Sequence, residues 1–208
     1  MQLKIYNTLR NEATCEYEIK RSRFIGFAKP VSTVEEAQEF ITGIKSLHRD
    51  ARHNVYAYTV IDGDSRYTKY SDDGEPQGTA GLPLLNCLQK RELENAVLVV
   101  TRYFGGILLG APGLLRAYTT SATMALDMCG IETKTLCRRV TVHADYKFIS
   151  GLMNIFSQAG LYPLSSEYTE KAMFTLLVEE DDIENLCYNI RELTSNNAEI
   201  EIGENEYK

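Results

Sequence analysis

The stretch of residues 71–118 carries most of the side chains in this chain that are suited to chemistry. It reads SDDGEPQGTAG, then an apolar run, then LVVTRYFGGILLGAPGLLRAY, and it holds seven of the chain's 14 glycines. Glycine allows tight turns and a close approach of the backbone to a ligand or to a neighbouring element. A binding site is therefore sought first in this stretch, where charges, aromatic rings and glycines occur together.

Arg102 is the candidate for contact with an anion. The pattern predicts a strand over 97–103, a glycine-rich loop over 105–111 and a helix that opens at Pro112. The free N–H groups at the positive end of that helix would converge beyond Arg102. The glycine spacing GGxxxGxxG matches neither the P-loop nor the dinucleotide fingerprint, so close packing of strand and helix is the alternative reason for the glycines. The alternative role of the arginine is an ion pair with one of three acids, Asp72, Asp73 and Glu75.

The same three acids raise the question of catalysis. Clustered carboxylates can hold Mg²⁺ or exchange protons, but SDDGEP is equally typical of a turn in which Asp and Ser side chains accept from nearby N–H groups. The five cysteines are scattered and never form a CxxC pair, which argues against a zinc site. We therefore predict no catalytic residue, no metal and no cofactor. An enzyme acting on a small phosphorylated or nucleotide substrate stays as an alternative.

Basic and aromatic residues suggest a second kind of site. They are candidates for one basic strip interleaved with aromatic rings, as in proteins that bind nucleic acid, with an ordinary charged surface as the alternative. Tyr103 and Phe104 are candidates for stacking on bases, with core packing as the alternative. His53, in HRDARHN, is either a site histidine or part of a solvated helix end. The strip comprises Lys20, Arg21, Arg23, Arg66 and Lys69 with Phe24, Tyr67 and Tyr70.

The overall charge is not that of a duplex-binding protein. The net charge is −7, and residues 1–137 carry 16 Lys and Arg against 16 Asp and Glu, while residues 138–208 carry 6 against 13. Any contact with nucleic acid must therefore depend on a local cluster. The candidate residues for binding an anion or nucleic acid are Arg21, Arg23, His53, Lys69, Gly78, Thr79, Arg102, Tyr103, Gly105, Gly106 and Arg116.

Hydrophobic periodicity predicts an α+β scaffold for these residues. Thr33 and Glu36 form a capping box ahead of an amphipathic helix. Other helices are predicted from Thr79 or Gly81 and from Pro112 to Gly130. Strands are expected over 16–31 with a bend at Gly26, over 97–103, and over 55–61 and 67–70 as a hairpin across Asp62-Gly63-Asp64.

After a boundary near 136–139 the pattern changes to strand, helix, two strands, helix and strand in about 70 residues. This βαββαβ order is that of the ferredoxin-like fold. The strands are expected over 139–144, 162–169, 172–178 and 199–202, and the helices over 148–156 and from Asp181 or Asp182 to Leu193.

The chain is expected to work in the cytoplasm. No apolar run is long enough to cross a bilayer, so no membrane contact is predicted. The amino-terminal residues lack the apolar region of a secretory signal, and the odd, scattered cysteines are best interpreted as reduced and buried.

Five motifs of the first domain are distinctive when taken together. They are KRSRFIG at 20–26, HNVYAY at 53–58, SDDGEPQGTAG at 71–81, RYFGG at 102–106 and GLLRAY at 113–118. They resemble the IMPACT family, in its bacterial two-domain type. The resemblance covers nearly the whole first domain, and it departs from many members at Leu108, where lysine is common, and at Pro112, where glycine is common. It implies a ribosomal protein S5 domain 2-like fold for residues 1–136 and a ferredoxin-like domain over 137–208, similar to the last domain of elongation factor G.

The resemblance also implies a function. Eukaryotic relatives act as translational regulators that bind a ribosome-associated activator of the amino-acid-starvation kinase. For this chain it implies a non-enzymatic, translation-associated regulator that binds RNA, the ribosome or a translation factor, with a translation-regulatory protein as a further expected partner. A protein-interaction module that binds no nucleic acid is the remaining alternative.

Overall fold

The computed structural model describes residues 3–62 and 65–208, and the chain divides into two units, Met1–Thr133 and Lys134–Lys208. Both units combine helices with antiparallel strands, which confirms the predicted α+β class. The elements of the first unit are β1 (Ile5–Leu9), β2 (Ala13–Ile19), β3 (Ser22–Pro30), α1 (Val34–Leu47), β4 (His53–Asp62), β5 (Ser65–Ser71), α2 (Gly81–Lys90), β6 (Ala96–Tyr103) and α3 (Gly110–Cys129). They are followed by β7 (Ile131–Ala144), α4 (Ile149–Gln158), β8 (Ser165–Tyr168), β9 (Ala172–Glu179), α5 (Glu180–Thr194) and β10 (Glu199–Tyr207).

One antiparallel sheet, with strands in the order β2-β3-β6-β4-β5, carries the first unit. Because successive side chains of a strand point to opposite faces, each central strand contributes to two cores. Phe24 and Val100 pack on one face with residues of α2 and α3, and Val97 and Val99 pack on the other with residues of α1. The predicted strand over 97–103 is thus present as part of β6, and its apolar run is buried on both faces.

Helix α1 begins at the predicted cap. The Thr33 hydroxyl accepts a hydrogen bond from the Glu36 N–H at 3.1 Å, and the Glu36 carboxylate accepts one from the Ser32 N–H at 2.7 Å. In the usual capping box the returning carboxylate bonds to the N-cap residue itself, whereas here it bonds to the residue before it. Ala37, Ile41 and Ile44 form the buried face of the helix.

The predicted bend at Gly26 is wrong, and the chain turns earlier. Lys20 and Arg21 have φ values of 47° and 63°, which is the combination found in a two-residue type I′ hairpin turn. Gly26 lies within β3, opposite Cys15 of β2. A Cβ at residue 26 would lie 2.9 Å from the backbone oxygen of Ser121, so the glycine is required by close packing of the sheet on α3.

The other predicted hairpin is present. Strands β4 and β5 pair from Tyr56 and Ser71 to Asp62 and Ser65. The predicted turn residues Gly63 and Asp64 lie outside the described residues.

The second unit has the predicted βαββαβ order of elements. Its strands lie in the order β10-β7-β9-β8, and each neighbouring pair is antiparallel. Helices α4 and α5 supply Leu152, Phe156 and Ile190 to a core that also contains Phe174 and Leu176 of β9.

Element ends differ from the predictions in several places. Strand β10 extends to Tyr207 because it pairs with β7 as far as Leu136, and β7 itself begins at Ile131. Strand β8 is limited to Ser165–Tyr168. Helix α3 begins at Gly110, so Pro112 is its third residue, where the missing N–H is one that has no partner within the helix. In the part of the chain that the structure describes, no helix combines the length and apolarity that crossing a membrane requires.

Candidate functional site

The turn between β5 and α2 is organised by the side chain of Asp72. One carboxylate oxygen accepts from the N–H groups of Ala80 and Gly81 at 3.1 and 2.8 Å, and the other accepts from the N–H of Gly78 at 2.9 Å. Asp72 thus satisfies N–H groups at the start of α2, which has no cap from its own N-cap side chain. The predicted turn chemistry accounts for this acid.

Asp73 joins the turn to α1 and β4. Its carboxylate pairs with Lys45 at 2.8 Å and accepts from the Asn54 N–H at 2.7 Å. Its carbonyl oxygen lies 2.8 Å from Nδ1 of His53. Because a carbonyl can only accept, Nδ1 carries the proton, and Nε2 of His53 is the ring nitrogen that faces the Glu75 carboxylate, 3.8 Å from Oε1.

Glu75 is the acid that pairs with Arg102. Its Oε1 accepts from Nη1 of Arg102 at 2.6 Å and from the hydroxyl of Tyr118 at 2.8 Å. The side chains of Arg102 and Glu75 are 6% and 3% exposed, and Tyr118 is fully buried. Burial, followed by the negative charge of Glu75, raises the pKa of Tyr118 above its usual value, so the phenol stays protonated and donates to the carboxylate.

The guanidinium of Arg102 lies near two aromatic rings. Its central carbon is 5.5 Å from the ring centroids of Phe24 and of Phe104. Strand register explains the first contact, because Phe24 is directly opposite Arg102 on the neighbouring strand. The hydrogen bond to Glu75 is the one side-chain hydrogen bond of Arg102 among the described residues, and Nε is buried without any partner. A buried N–H without an acceptor is costly, by about 1–3 kcal/mol.

A cavity of about 310 Å³ opens beside this ion pair. His53, Glu75 and Arg102 supply its polar wall, with Arg52 alongside. The beginning of α3 borders it, and this helix has neither a capping side chain nor an acid in its first turn. The remaining wall is largely apolar and consists of Pro76, Phe104, Leu108, Leu109, Ala111 and Leu114.

The chemistry open to this arrangement is binding of an anion, or base catalysis by His53. Glu75 is committed to Arg102 and Tyr118, whereas Nε2 of His53 is not hydrogen bonded to any described residue. Within residues 3–62 and 65–208, no group of three or more His, Cys, Asp or Glu side chains is placed to hold a metal ion.

Unpaired cations gather at the same end of the sheet. Lys20 and Arg21 form the β2–β3 turn, and Arg49 and Arg52 lie in the connection from α1 to β4. All four are exposed and form no ion pair with a described residue. The guanidinium carbon of Arg52 is 5.9 Å from the centroid of the exposed ring of Phe104. We name these four cations and Phe104 the basic end.

Backbone contacts bring the parts of the basic end together. A Cβ on Gly105 would lie 2.0 Å from the carbonyl carbon of Arg21, and the Gly105 N–H donates to the Ser22 hydroxyl. The Arg52 N–H donates to the carbonyl of Arg102 at 3.1 Å. The β2–β3 turn, the start of β4 and the loop after β6 are therefore neighbours.

Three other predicted site residues have partners within the protein. Arg23 pairs with Glu16 through two contacts of 2.7 and 2.8 Å. The Tyr103 hydroxyl is 2.8 Å from Nδ1 of His48, on the face of the sheet opposite Arg102. Thr79 donates to the Pro76 carbonyl at 2.6 Å.

The remaining predicted residues are glycines and two exposed cations. Gly78 and Gly106 have φ values of 75° and 85°, and a Cβ on either would meet nothing within 4 Å. Lys69 and Arg116 are exposed, form no ion pair with a described residue and do not line the cavity.

The predicted basic strip is not assembled. Phe24 is fully buried. Strand register places Arg23 beside Tyr103, at the carboxyl-terminal end of β6. It places Lys69 opposite Tyr58 of β4, and Tyr58 pairs with Val97 near the amino-terminal end of β6. The two groups of cations are thus separated along and across the sheet.

The sequence patterns did not single out two side chains of this site. Tyr118 lies in the GLLRAY motif and Arg52 in HRDARHN, but neither was a candidate for a site role. Glu75 was one of three equivalent acids, considered both as a partner of Arg102 and for metal or proton chemistry. The spacing of Tyr118 and Leu114 on one helix face was the available signal, because it places the phenol toward the sheet that bears Arg102.

Comparisons with known proteins match both parts of the chain. A family model described as the Impact N-terminal domain matches residues 20–126, and one described as a domain of unknown function (DUF1949) matches residues 142–197. His53, Glu75, Arg102 and Tyr118 all lie within the first match.

Similar proteins extend over most of the chain. IMPACT family member YvyE of Bacillus subtilis is 40% identical over 205 residues, which cover 99% of this chain and 94% of that protein. IMPACT family member YigZ of Escherichia coli is 37% identical over 152 residues, 73% of this chain and 74% of that protein. A crystal structure of a hypothetical protein aligns with a TM-score of 0.64 and 28% identity, and the alignment covers 98% of both chains.

Proposed function

The chain belongs to the IMPACT family, and we propose that it is a non-enzymatic, translation-associated regulator that binds RNA or the ribosome through the basic end. The observation that carries this proposal is the collection of unpaired cations around an exposed aromatic ring. Cations contact phosphates and a ring stacks on bases, so their combination suits single-stranded or looped RNA.

The distribution of ion pairs favours this end of the unit. Elsewhere on the sheet several cations are neutralised, as in the pairs of Arg66 with Glu94 and of Lys29 with Glu12, and Lys69 of β5 is an isolated exception. Lys20, Arg21 and Arg52 have no such partner among the described residues. A phosphate that binds these cations displaces water but no carboxylate of the protein, so the side chains are available to it.

The charge of the second unit argues that RNA contact is confined to the first. Residues 138–208 carry 13 acids against 6 Lys and Arg, and an acidic surface repels a polyanion. We therefore expect the second unit to face away from RNA, or to contact the basic proteins of a ribonucleoprotein.

The test is an RNA titration by fluorescence anisotropy at several salt concentrations, together with co-sedimentation with ribosomes. The variant Arg21→Ala/Arg52→Ala should weaken binding and flatten the dependence of log K on log salt by roughly one unit for each lost phosphate contact. Phe104→Leu should weaken binding by about 1–3 kcal/mol while it leaves the salt dependence unchanged, because stacking is not electrostatic.

The matched control is Lys69→Ala/Arg116→Ala, which removes the same net charge from exposed positions that are not part of the basic end and do not line the cavity. It should bind RNA nearly as wild type does. Equal weakening by both double variants would mean that only net charge matters, and would contradict a specific interface. Failure of the wild-type protein to bind either RNA or ribosomes would contradict the function itself.

We also propose a fold for each unit. The five-stranded sheet covered by α1 on one face and by α2 and α3 on the other supports an S5 domain 2-like fold for residues 1–136. The strand order β10-β7-β9-β8 supports a ferredoxin-like fold for residues 137–208.

A second candidate function follows from His53. With Nδ1 held by the Asp73 carbonyl, Nε2 is oriented toward the cavity wall near Glu75, as a general base would be. An enzyme acting on a small phosphorylated or nucleotide substrate would use such a base, but Glu75 in the same wall does not favour a phosphate dianion. Turnover of a phosphorylated compound that His53→Gln abolishes, without loss of RNA binding, would favour the enzyme over the regulator.

A further inference from the structure

We propose that the cavity beside Arg102 is a binding site for a small organic monocarboxylate with an apolar body, such as a single-ring or branched-chain acid. This inference goes beyond the proposed function, because the ligand is a free small molecule and not RNA. The cavity of about 310 Å³ is at the lower end of the range for ligand sites, which limits the body to about one ring.

The first observation is the unsatisfied guanidinium of Arg102. The residue is 5% exposed, it lines the cavity, and Nε has no hydrogen-bond partner. Because Glu75 occupies Nη1, most of the guanidinium N–H groups make no hydrogen bond to a described side chain. Nε itself is enclosed by protein atoms, so an oxyanion in the cavity would accept from the other guanidinium N–H groups that Glu75 leaves free.

The second and independent observation is the amino-terminal end of α3 at the cavity wall. Gly110 and Ala111 open this 20-residue helix and line the cavity, and the helix has no capping side chain. The free N–H groups and the positive end of a long helix attract an anion. Arg102 and the helix therefore favour the same kind of ligand from two elements.

The charge of the ligand follows from the wall. Arg52 and Arg102 contribute two positive charges, and Glu75 contributes one negative charge. The resulting excess of one positive charge matches a monoanion, whereas a phosphate dianion would be repelled by Glu75 in a partly desolvated site. A carboxylate is thus favoured over a phosphate monoester.

The body of the ligand follows from the rest of the wall. Leu108, Leu109, Ala111 and Leu114 present apolar surface to the cavity, and Leu108 is 81% exposed at residue level. Burying a ring or a branched chain against these residues removes apolar area from water on both sides. A small anion such as acetate has little apolar area, so it would gain little binding free energy from this burial.

The test uses benzoate as probe and benzamide as its neutral counterpart of nearly the same shape. Amide chemical shifts are followed by NMR in the whole chain. Benzoate should shift the signals of residues 104–114 with a saturable curve, and benzamide and acetate should each bind about tenfold or more weakly, because one lacks the charge and the other the body. Phenyl phosphate should also bind more weakly than benzoate.

Ala111→Phe separates this inference from the proposed function. The residue is exposed, so the substitution is compatible with folding, and its ring fills the cavity without removing a charge. It should abolish benzoate binding and retain the RNA contacts of Lys20, Arg21 and Arg49, none of which lines the cavity, whereas Ala111→Ser should leave the binding of both ligands intact. Arg21→Ala should weaken RNA binding and leave benzoate binding unchanged.

Three results would overturn the inference. They are equal binding of benzoate and benzamide, unchanged benzoate binding by Ala111→Phe, and the absence of any saturable shift at millimolar benzoate.

Discussion

Replacing Glu75 by glutamine should destabilise the first unit by about 3 kcal/mol. The carboxylate neutralises Arg102 at 2.6 Å, and both side chains are more than nine-tenths buried. Removing one partner of a buried pair typically costs about 3–5 kcal/mol, because the remaining charge stays in a poorly solvated place. Glutamine keeps the shape and an oxygen that can accept from Tyr118, so the lower end of that range applies.

The measurement is urea denaturation followed by far-UV circular dichroism, since the chain contains no tryptophan. The matched control is Glu94→Gln. Glu94 is also buried, and burial raises its pKa, but its partner Arg66 is 53% exposed and becomes solvated when the pair is broken. We expect this control to cost about 1 kcal/mol or less.

A double-mutant cycle identifies the cause of the loss. In the background Arg102→Met no cation is left buried, so Glu75→Gln should then cost much less than it does in the wild type. The reasoning is refuted if Glu75→Gln is no more harmful than Glu94→Gln, or if its cost is the same with and without Arg102.

Three further predictions concern backbone, pH and thiols. Gly105→Ala should destabilise the first unit far more than Gly106→Ala, because a Cβ on Gly105 would lie 2.0 Å from the backbone of the β2–β3 turn. A Cβ on Gly106 would meet no neighbour, so that substitution has only the cost of a positive φ, about 1–2 kcal/mol. Equal urea midpoints for the two variants would contradict this difference. Burial, with a smaller contribution from Arg23, lowers the pKa of His48 in the folded protein, so the histidine binds a proton more readily in the unfolded chain. The free energy of unfolding should therefore fall as pH drops through about 6.5. An NMR titration of His48 should show a lowered pKa that Arg23→Ala raises, and a pKa unchanged by this substitution would refute the contribution of Arg23. Burial raises the pKa of all five cysteine thiols, that of Cys129 to about 11. Ellman's reagent should therefore react rapidly with these thiols only after the protein unfolds. Rapid reaction of the native protein would contradict their burial.

Local patterns predicted the elements of this fold well where one physical signal dominated. The Thr33 cap and the apolar periodicity define α1, and the apolar run of β6 marks a strand buried on both faces. Gly26 was misinterpreted because a sequence shows a glycine in the same way whether it is needed for a backbone bend or for close packing on Ser121. Close packing depends on where the neighbouring helix lies, which the residues around Gly26 do not indicate.

The candidate site could be predicted only in part, because it depends on register. Nothing local distinguishes Glu75 from Asp72 and Asp73, yet in the fold Asp72 serves the start of α2 and Asp73 serves Lys45 and β4. Glu75 alone is directed to Arg102. Likewise the assembly of the basic end follows from strands that are distant in sequence.

The buried pair of Arg102 and Glu75 is better explained by ligand binding than by stability. Two desolvated charges give little net stabilisation compared with apolar side chains of the same size, although removing only one of them is harmful. A pair kept solely for the fold would be expected to satisfy its own hydrogen-bonding groups, but Nε of Arg102 is buried without a partner, and the residue lines a cavity. The carboxylate holds the guanidinium in place and reduces its charge, so that the site accepts one negative charge and not two. The cost of the pair is thus consistent with a preformed, charge-selective site.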